Sequence, residues 1–280
     1  MTISETLHFL KDQYFCRSAI MYPRKEGEQM DERMQGILQS FEDQRIGVDE
    51  PFKFHCKMCG KCCIHREDIL LNPRDVFNMA KELKMSTKEL LKQYCEVYIG
   101  QDSRMPVVRL MPCGNVQRCP LLKDRKCMVH NAKPTVCAMY PIGRGVRYDT
   151  KKKNSEITEE DIQFFFTNPG CGDEDEIHTV REWLESFGIS VADSFFVKWQ
   201  NVVYQLSMSF RKLEKSASPR VMELFWNAAF GDLYLEYDTG QEFLPQFERN
   251  MERLFSAISG ITEKMEKESD GQGKEDERGR

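Results

Sequence analysis

Nine of the eleven cysteines in this 280-residue chain fall between Cys56 and Cys137. The total is odd and the spacings are short, so a chain-wide disulfide framework is a poor reading. In a reducing compartment such density points to metal ligation or redox chemistry. Regular elements in this stretch are expected to be short. Residues 51–175 also hold eight of the eleven prolines, and the rest reads as loops whose shape a metal would fix.

From Phe54 the chain runs F-H-C-K-M-C-G-K-C-C, so Cys56, Cys59 and Cys62 form a C-x2-C-x2-C run and Cys63 follows at once. Two intervening residues let a tight turn aim two thiolates at one metal, and Gly60 permits the backbone that such knuckles use. Lys57 and Lys61 put positive charge beside thiols that must lose protons to bind. The triplet spacing is that of the bacterial ferredoxin run, but the fourth cysteine is not three residues on, and a Cys-Pro pair comes only at Cys119-Pro120.

A second group lies in R-C-P-L-L-K-D-R-K-C-M-V-H-N-A-K-P-T-V-C, supplying Cys119, Cys127 and Cys137 with His130 between, and Cys171 follows in N-P-G-C-G. The best-placed thiols are Cys56, Cys59, Cys62, Cys63, Cys119, Cys127, Cys137 and Cys171, enough for two four-cysteine sites. Side chains of adjacent residues tend to diverge, so Cys62 and Cys63 are expected to serve two metals or to leave one thiol unligated. An isolated cysteine is usually a small buried hydrophobe, and Cys16 and Cys95, in helical apolar settings, read that way. Cys113, in M-P-C-G-N, has no assignment. His65 and His130 are candidates to ligate or to tune the site from behind the thiols. His55 ranks below them, and His8 and His178 read as surface residues.

Net charge is −5 and the isoelectric point near 5.7, so nothing global signals nucleic acid. The opening residues lack a secretory pattern and no apolar run is long enough to span a membrane, which makes the cytoplasm the expected location. Walker A, G-x-G-x-x-G and G-x-S-x-G patterns are absent, removing the nucleotide, hydride and serine-hydrolase readings. Lys151 to Lys153 read as a solvated loop, and Phe164 to Phe166 as core.

Periodicity divides the chain into a helical N-terminal extension (1–50), a cysteine-cluster domain (51–190), a helical C-terminal region (191–267) and a disordered tail (268–280). Within these, Asp31–Ile46 has helical spacing, Pro73 opens a helix through Leu83, and the Ser86/Glu89 capping box opens another to about Tyr98. Val107–Leu110 and Gly145–Tyr148 are strand candidates. Helices are expected over Thr179–Phe187, Val191–Leu213, Pro219–Ala229 and Gln241–Lys264. The fold class is mainly α with short strands (α+β): a loop-rich, metal-stapled domain followed by helices.

At these residues the sequence resembles the YkgJ-type cysteine-cluster family, a zinc- or iron-chelating domain named for its CxxCxxCC signature. The resemblance continues through Leu71-Asn72-Pro73-Arg74-Asp75-Val76, Cys119-Pro120-Leu121-Leu122, Cys127 and Lys133-Pro134-Thr135-Val136-Cys137 to Cys171, covering roughly 50–190. Lys133 replaces the usual arginine, and Cys171-Gly172-Asp173 replaces the usual Cys-Pro-Gly order. The family implies metal binding and leaves the chemistry open. The signature is also similar to the cysteine cluster of flagellin lysine methylases. The radical S-adenosylmethionine spacing, C-x3-C-x2-C, and the repeating β/α barrel pattern are absent.

Three functions follow as expectations. One is a protein that chelates zinc or iron. Another is an iron–sulfur redox or transferase enzyme, methylase-like. The third is a protein whose C-terminal helices bind a partner while the metal only holds loops.

Overall fold

The computed structural model describes residues 42–65, 69–147 and 157–276, with side chains to 261. Helices dominate and the strands are short, as the hydrophobic periodicity predicts. His8, Cys16 and Lys151 to Lys153 lie outside the described residues, as does most of the expected helix Asp31–Ile46.

The described residues fold into two compact units that interleave along the sequence: 71–109 with 202–276, and 42–70 with 110–201. In the first unit, the helix Pro73–Glu82 begins at a full capping box. Asn72 accepts from the Asp75 amide at 2.9 Å and Asp75 accepts from the Asn72 amide at 3.2 Å. The helix Thr87–Tyr94 opens the same way at Ser86 and Glu89. It stops earlier than its spacing suggests, because Cys95–Ile99 is a strand, and Val97, Tyr98 and Ile99 favour a pleated surface over a helix. That strand neighbours Pro106–Leu110, with Leu70–Leu71 on the far edge of the sheet.

The helix Pro219–Phe230 runs into a π-helical turn, Gly231–Leu235, and Phe243–Asp276 follows, continuing beyond Lys264. Thr87 donates to the Leu235 carbonyl at 3.0 Å and Tyr234 to the Leu71 carbonyl at 3.3 Å. These bonds tie segments far apart in sequence, and the core between them includes Phe77, Met79, Leu90, Tyr234 and Phe247. Cys95 belongs to this unit and is 5% exposed. Burial pushes its thiol up to about 12, as expected of an inert core cysteine.

The second unit carries the other described cysteines. Ile162–Phe166 is the central strand of an antiparallel trio, flanked by Arg45–Ile46 and Ile142–Val146. Arg45 and Ile46 are thus strand, not helix, because Ile46 pairs with Phe164 and enters the core. A second ladder joins Pro51–His55 to Asp173–Thr179. Its pattern exposes Pro51 and Lys53 and buries Phe52 and Phe54, the period-two alternation of a half-buried strand. The core gathers Phe52, Phe54, Met139, Ile142, Phe164, Trp183 and Leu184. Trp183 donates to the Met139 carbonyl at 3.0 Å, which pins the helix Val180–Ser186 to the short helix Thr135–Met139 that bears Cys137. His178 is half-buried rather than a surface residue, its ring 5.1 Å from that of Trp183.

Candidate metal centre

The CxxCxxCC run leaves the strand Pro51–His55 and turns at Gly60, whose φ of 74° suits glycine. A single 3-10 turn, Lys61–Cys63, follows, closed by the Cys63 amide donating to the Gly60 carbonyl at 3.0 Å. This turn places the Cys62 and Cys63 sulfurs 3.9 Å apart. The expected divergence of the two side chains is absent.

Backbone bonds then bring in the second group. The Cys119 amide donates to the Cys63 carbonyl at 2.8 Å and the His65 amide to the Val116 carbonyl at 3.2 Å. Cys113 and Arg118 form an isolated antiparallel bridge. Leu122–Lys123 and Lys126–Cys127 form a hairpin in which Leu122 faces Cys127. Its two-residue loop, Asp124-Arg125, has φ of 51° and 60°, the primed geometry that matches strand twist. Cys137 lies on the helix Thr135–Met139, with its amide on the Pro134 carbonyl at 2.8 Å.

Cys171 arrives by a different route. Gly170 and Gly172 both have positive φ, and a Cβ on Gly172 would sit 2.3 Å from the His55 carbonyl oxygen. Glycine therefore lets the chain press against the strand that leads into Cys56.

Thiol electrostatics record the resulting neighbourhood. Cys63 is pushed far up by its hydrogen bond with Cys62, then by burial, then by the charges of Cys62, Cys119 and Cys137. Burial raises Cys119, and Cys127, Cys113 and Cys62 add to the effect, while a backbone bond from Leu121 opposes it. Burial likewise raises Cys171, helped by Cys59 and Cys62 and opposed by a hydrogen bond from Tyr140. Cys62 contributes to the rise at each of Cys63, Cys119 and Cys171. Among the described residues no three thiols have sulfurs all within 4.8 Å of one another; His55, Asp173 and Asp175 are the trio whose ligand atoms do. The Lys57 ammonium already sits on Asp173 and holds that carboxyl below its usual range, and His55 Nδ1 lies 3.2 Å from Asp173 Oδ1.

Cys56 is exposed, and so are His65 and His130. Electrostatic interactions link Cys63 to Cys62, Cys119 and Cys137, Cys119 to Cys127 and Cys113, and Cys171 to Cys59 and Cys62, so Cys113, which its spacing leaves unassigned, interacts with a candidate ligand. The signals for Cys113 and for the close approach at Gly172 were present as Cys-Gly and Gly-Cys-Gly turns. Thiol donors suit zinc, copper(I) and iron–sulfur clusters over hard cations, so the donor set fits the metals that the CxxCxxCC pattern suggests.

Residues 55–163 match the family model described as "CxxCxxCC: Putative zinc- or iron-chelating domain". This match includes the signature and Cys137 and excludes Cys171. A protein of Methanocaldococcus jannaschii, "Uncharacterized protein MJ0661", is 26% identical over 107 residues, which are 38% of this chain and 50% of that protein. The aligned region therefore spans about half the length of that relative. No solved structure matches the chain. Among the described residues no helix is long and apolar enough to cross a membrane.

Proposed function

We propose that the chain is a metal-binding protein that chelates zinc or iron through one continuous thiolate centre. Its ligands are drawn from Cys56, Cys59, Cys62, Cys63, Cys119, Cys127, Cys137 and Cys171, with His65 and His130 near the rim. The observation that carries the reading is the 3.9 Å separation of the Cys62 and Cys63 sulfurs. Zinc–sulfur bonds of about 2.3 Å in a tetrahedron put neighbouring sulfurs about 3.8 Å apart. The pair is therefore spaced as two ligands of one ion.

A metal also reverses the local electrostatics. Crowded thiols resist deprotonation while only each other's charges surround them, and a bound cation supplies the opposite charge, so binding releases protons. The chain's residues hold and gather the metal; the metal supplies the charge that lets them ionise together.

A second reading is an iron–sulfur centre in a redox or transferase enzyme. It is favoured by the ferredoxin-like triplet and by having more thiols than a single four-thiolate site needs. Anaerobic purification with metal and sulfide analysis and an absorption spectrum separates the two. One or two zinc ions per chain without visible absorption supports the zinc reading. About four iron with matching sulfide supports the cluster. Metal-free protein that takes up neither when reconstituted ends both.

A further inference from the structure

The loops that gather the thiols display a surface that metal binding does not use. Met58 is 74% exposed, Val116 51% and Met128 39%, each within three residues of a candidate ligand. Met58 is held there at a φ of 48°, a left-handed conformation that costs a non-glycine residue about 1 kcal/mol or more. The Cys119 amide on the Cys63 carbonyl and the His65 amide on the Val116 carbonyl bring the Lys61–His65 segment beside the Val116–Cys119 loop, and Leu122 Cδ2 at the foot of the hairpin lies 3.9 Å from the Cβ position of Gly60. Exposed apolar side chains on adjoining loops mark contact surfaces, and methionine adapts to varied partners.

The described residues of these loops carry mostly positive charge in a chain whose net charge is −5, while the adjoining strand Asp173–Thr179 exposes Glu174, Asp175 and Glu176. Lys57 is engaged by Asp173, and Lys133 lies over the Phe187 ring at 5.3 Å. That leaves Lys61, Arg118, Lys123, Arg125 and Lys126 exposed, and none forms an ion pair with a described residue. Asp124 is the acidic residue among them. The primed turn at Asp124-Arg125 makes the hairpin tip a support for three of these five cations. No exposed large hydrophobic residue on these loops is aromatic, so the surface lacks the stacking platforms that single-stranded nucleic acid uses.

We infer that this face is a docking surface for an acidic polypeptide segment carrying apolar side chains. The inference goes beyond metal binding: it gives the thiolate centre a protein partner recognised by charge complementarity and by methionine contacts.

The test uses the full-length, metal-loaded chain and measures fluorescence anisotropy with two labelled probes, a short Glu/Leu peptide and an oligothymidine of equal charge. The variants are Met58→Ser and a triple charge reversal, Lys123→Glu, Arg125→Glu and Lys126→Glu, and metal content is measured on every sample. The peptide is expected to bind the natural chain, more weakly as salt rises. Its affinity should fall at least about tenfold in the triple variant and severalfold in Met58→Ser, at unchanged metal content. Oligothymidine should bind more weakly than the peptide. Four results would overturn the inference: no peptide binding, equal binding by the variants, tighter binding of oligothymidine, or metal loss in step with affinity. The last would show that the cations serve the metal centre alone. Metal content is read independently, so failure here stays distinct from failure of the metal-binding reading.

Discussion

Replacing Gly172 with alanine tests how the last thiol is delivered. The backbone there has a φ of 73°, and left-handed geometry costs alanine about 1 kcal/mol relative to glycine. The added Cβ would lie 2.3 Å from the His55 carbonyl oxygen and 3.0 Å from Phe54 Cε2, whereas ordinary contact begins at 3.4 Å. The strands must open by 3.4 − 2.3 = 1.1 Å at that point. Overpacking of this kind adds about 1–3 kcal/mol, for a total of about 2–4 kcal/mol. The opening falls beside the His55–Asp173 pair, so Cys171 moves away from Cys59 and Cys62. Gly170→Ala is the matched control, with a φ of 60° and nothing within 4 Å of its Cβ. It should lose only the conformational part, about 1 kcal/mol. Denaturant unfolding of the two variants side by side, with metal content measured on each, gives the answer. Gly172→Ala should be the less stable by about 1–3 kcal/mol and hold less metal. Equal destabilisation would refute the close-approach argument.

Other outcomes follow from the same contacts. Cys137→Ser should release metal about as effectively as Cys59→Ser; unchanged metal in Cys137→Ser, by elemental analysis, would confine the site to the short signature. Trp183→Phe removes the donor to the buried Met139 carbonyl and should cost about 1–3 kcal/mol by chemical denaturation. Its metal affinity should also fall, because Met139 closes the helix that bears Cys137. Asn72→Ala breaks a capping box in the other unit and should cost about 0.5–2 kcal/mol while metal content stays as it was. Equal metal loss in Asn72→Ala would show that the centre depends on the unit outside it.

What the sequence discloses about this molecule follows the range of each signal. Caps and amphipathic periods are local, and the Asn72 and Ser86 boxes and the helices Val180–Ser186, Ser194–Leu213 and Pro219–Phe230 fall where spacing puts them. Asp173–Thr179 was not legible, because an acidic D-E-D-E run becomes a strand only when Pro51–His55 offers it a ladder. The hairpin Leu122–Cys127 is silent in the sequence for a related reason. Its turn residues, Asp124 and Arg125, both take positive φ without a glycine to announce it. The association of 71–109 with 202–276 depends on bonds such as Thr87 to Leu235, and no window of sequence contains both ends.

The candidate site shows the same division between local and distant. The run Cys56–Cys63 is readable as a metal motif from its spacing alone, but spacing could not say on which side of the turn Cys62 and Cys63 would lie. The fold decides it: Gly60, with its left-handed backbone, caps the 3-10 turn Lys61–Cys63, on which the two sulfurs lie 3.9 Å apart. A β-branched residue at Gly60 would therefore act on the metal through geometry. Gly60→Val places a branched side chain at a φ of 74°, with Leu122 Cδ2 3.9 Å from its Cβ. The added Cβ meets only ordinary contact, so its cost is conformational, about 1–2 kcal/mol. That cost falls on the turn that orients two ligands at once. Metal affinity, measured by chelator competition, should drop by about 10-fold or more, since 1.4 kcal/mol is a factor of ten. Gly114→Val is the control, because Gly114 also has positive φ and open space but orients neither Cys62 nor Cys63. If both variants weaken metal binding equally, the turn at Gly60 is not what sets the spacing of the central pair.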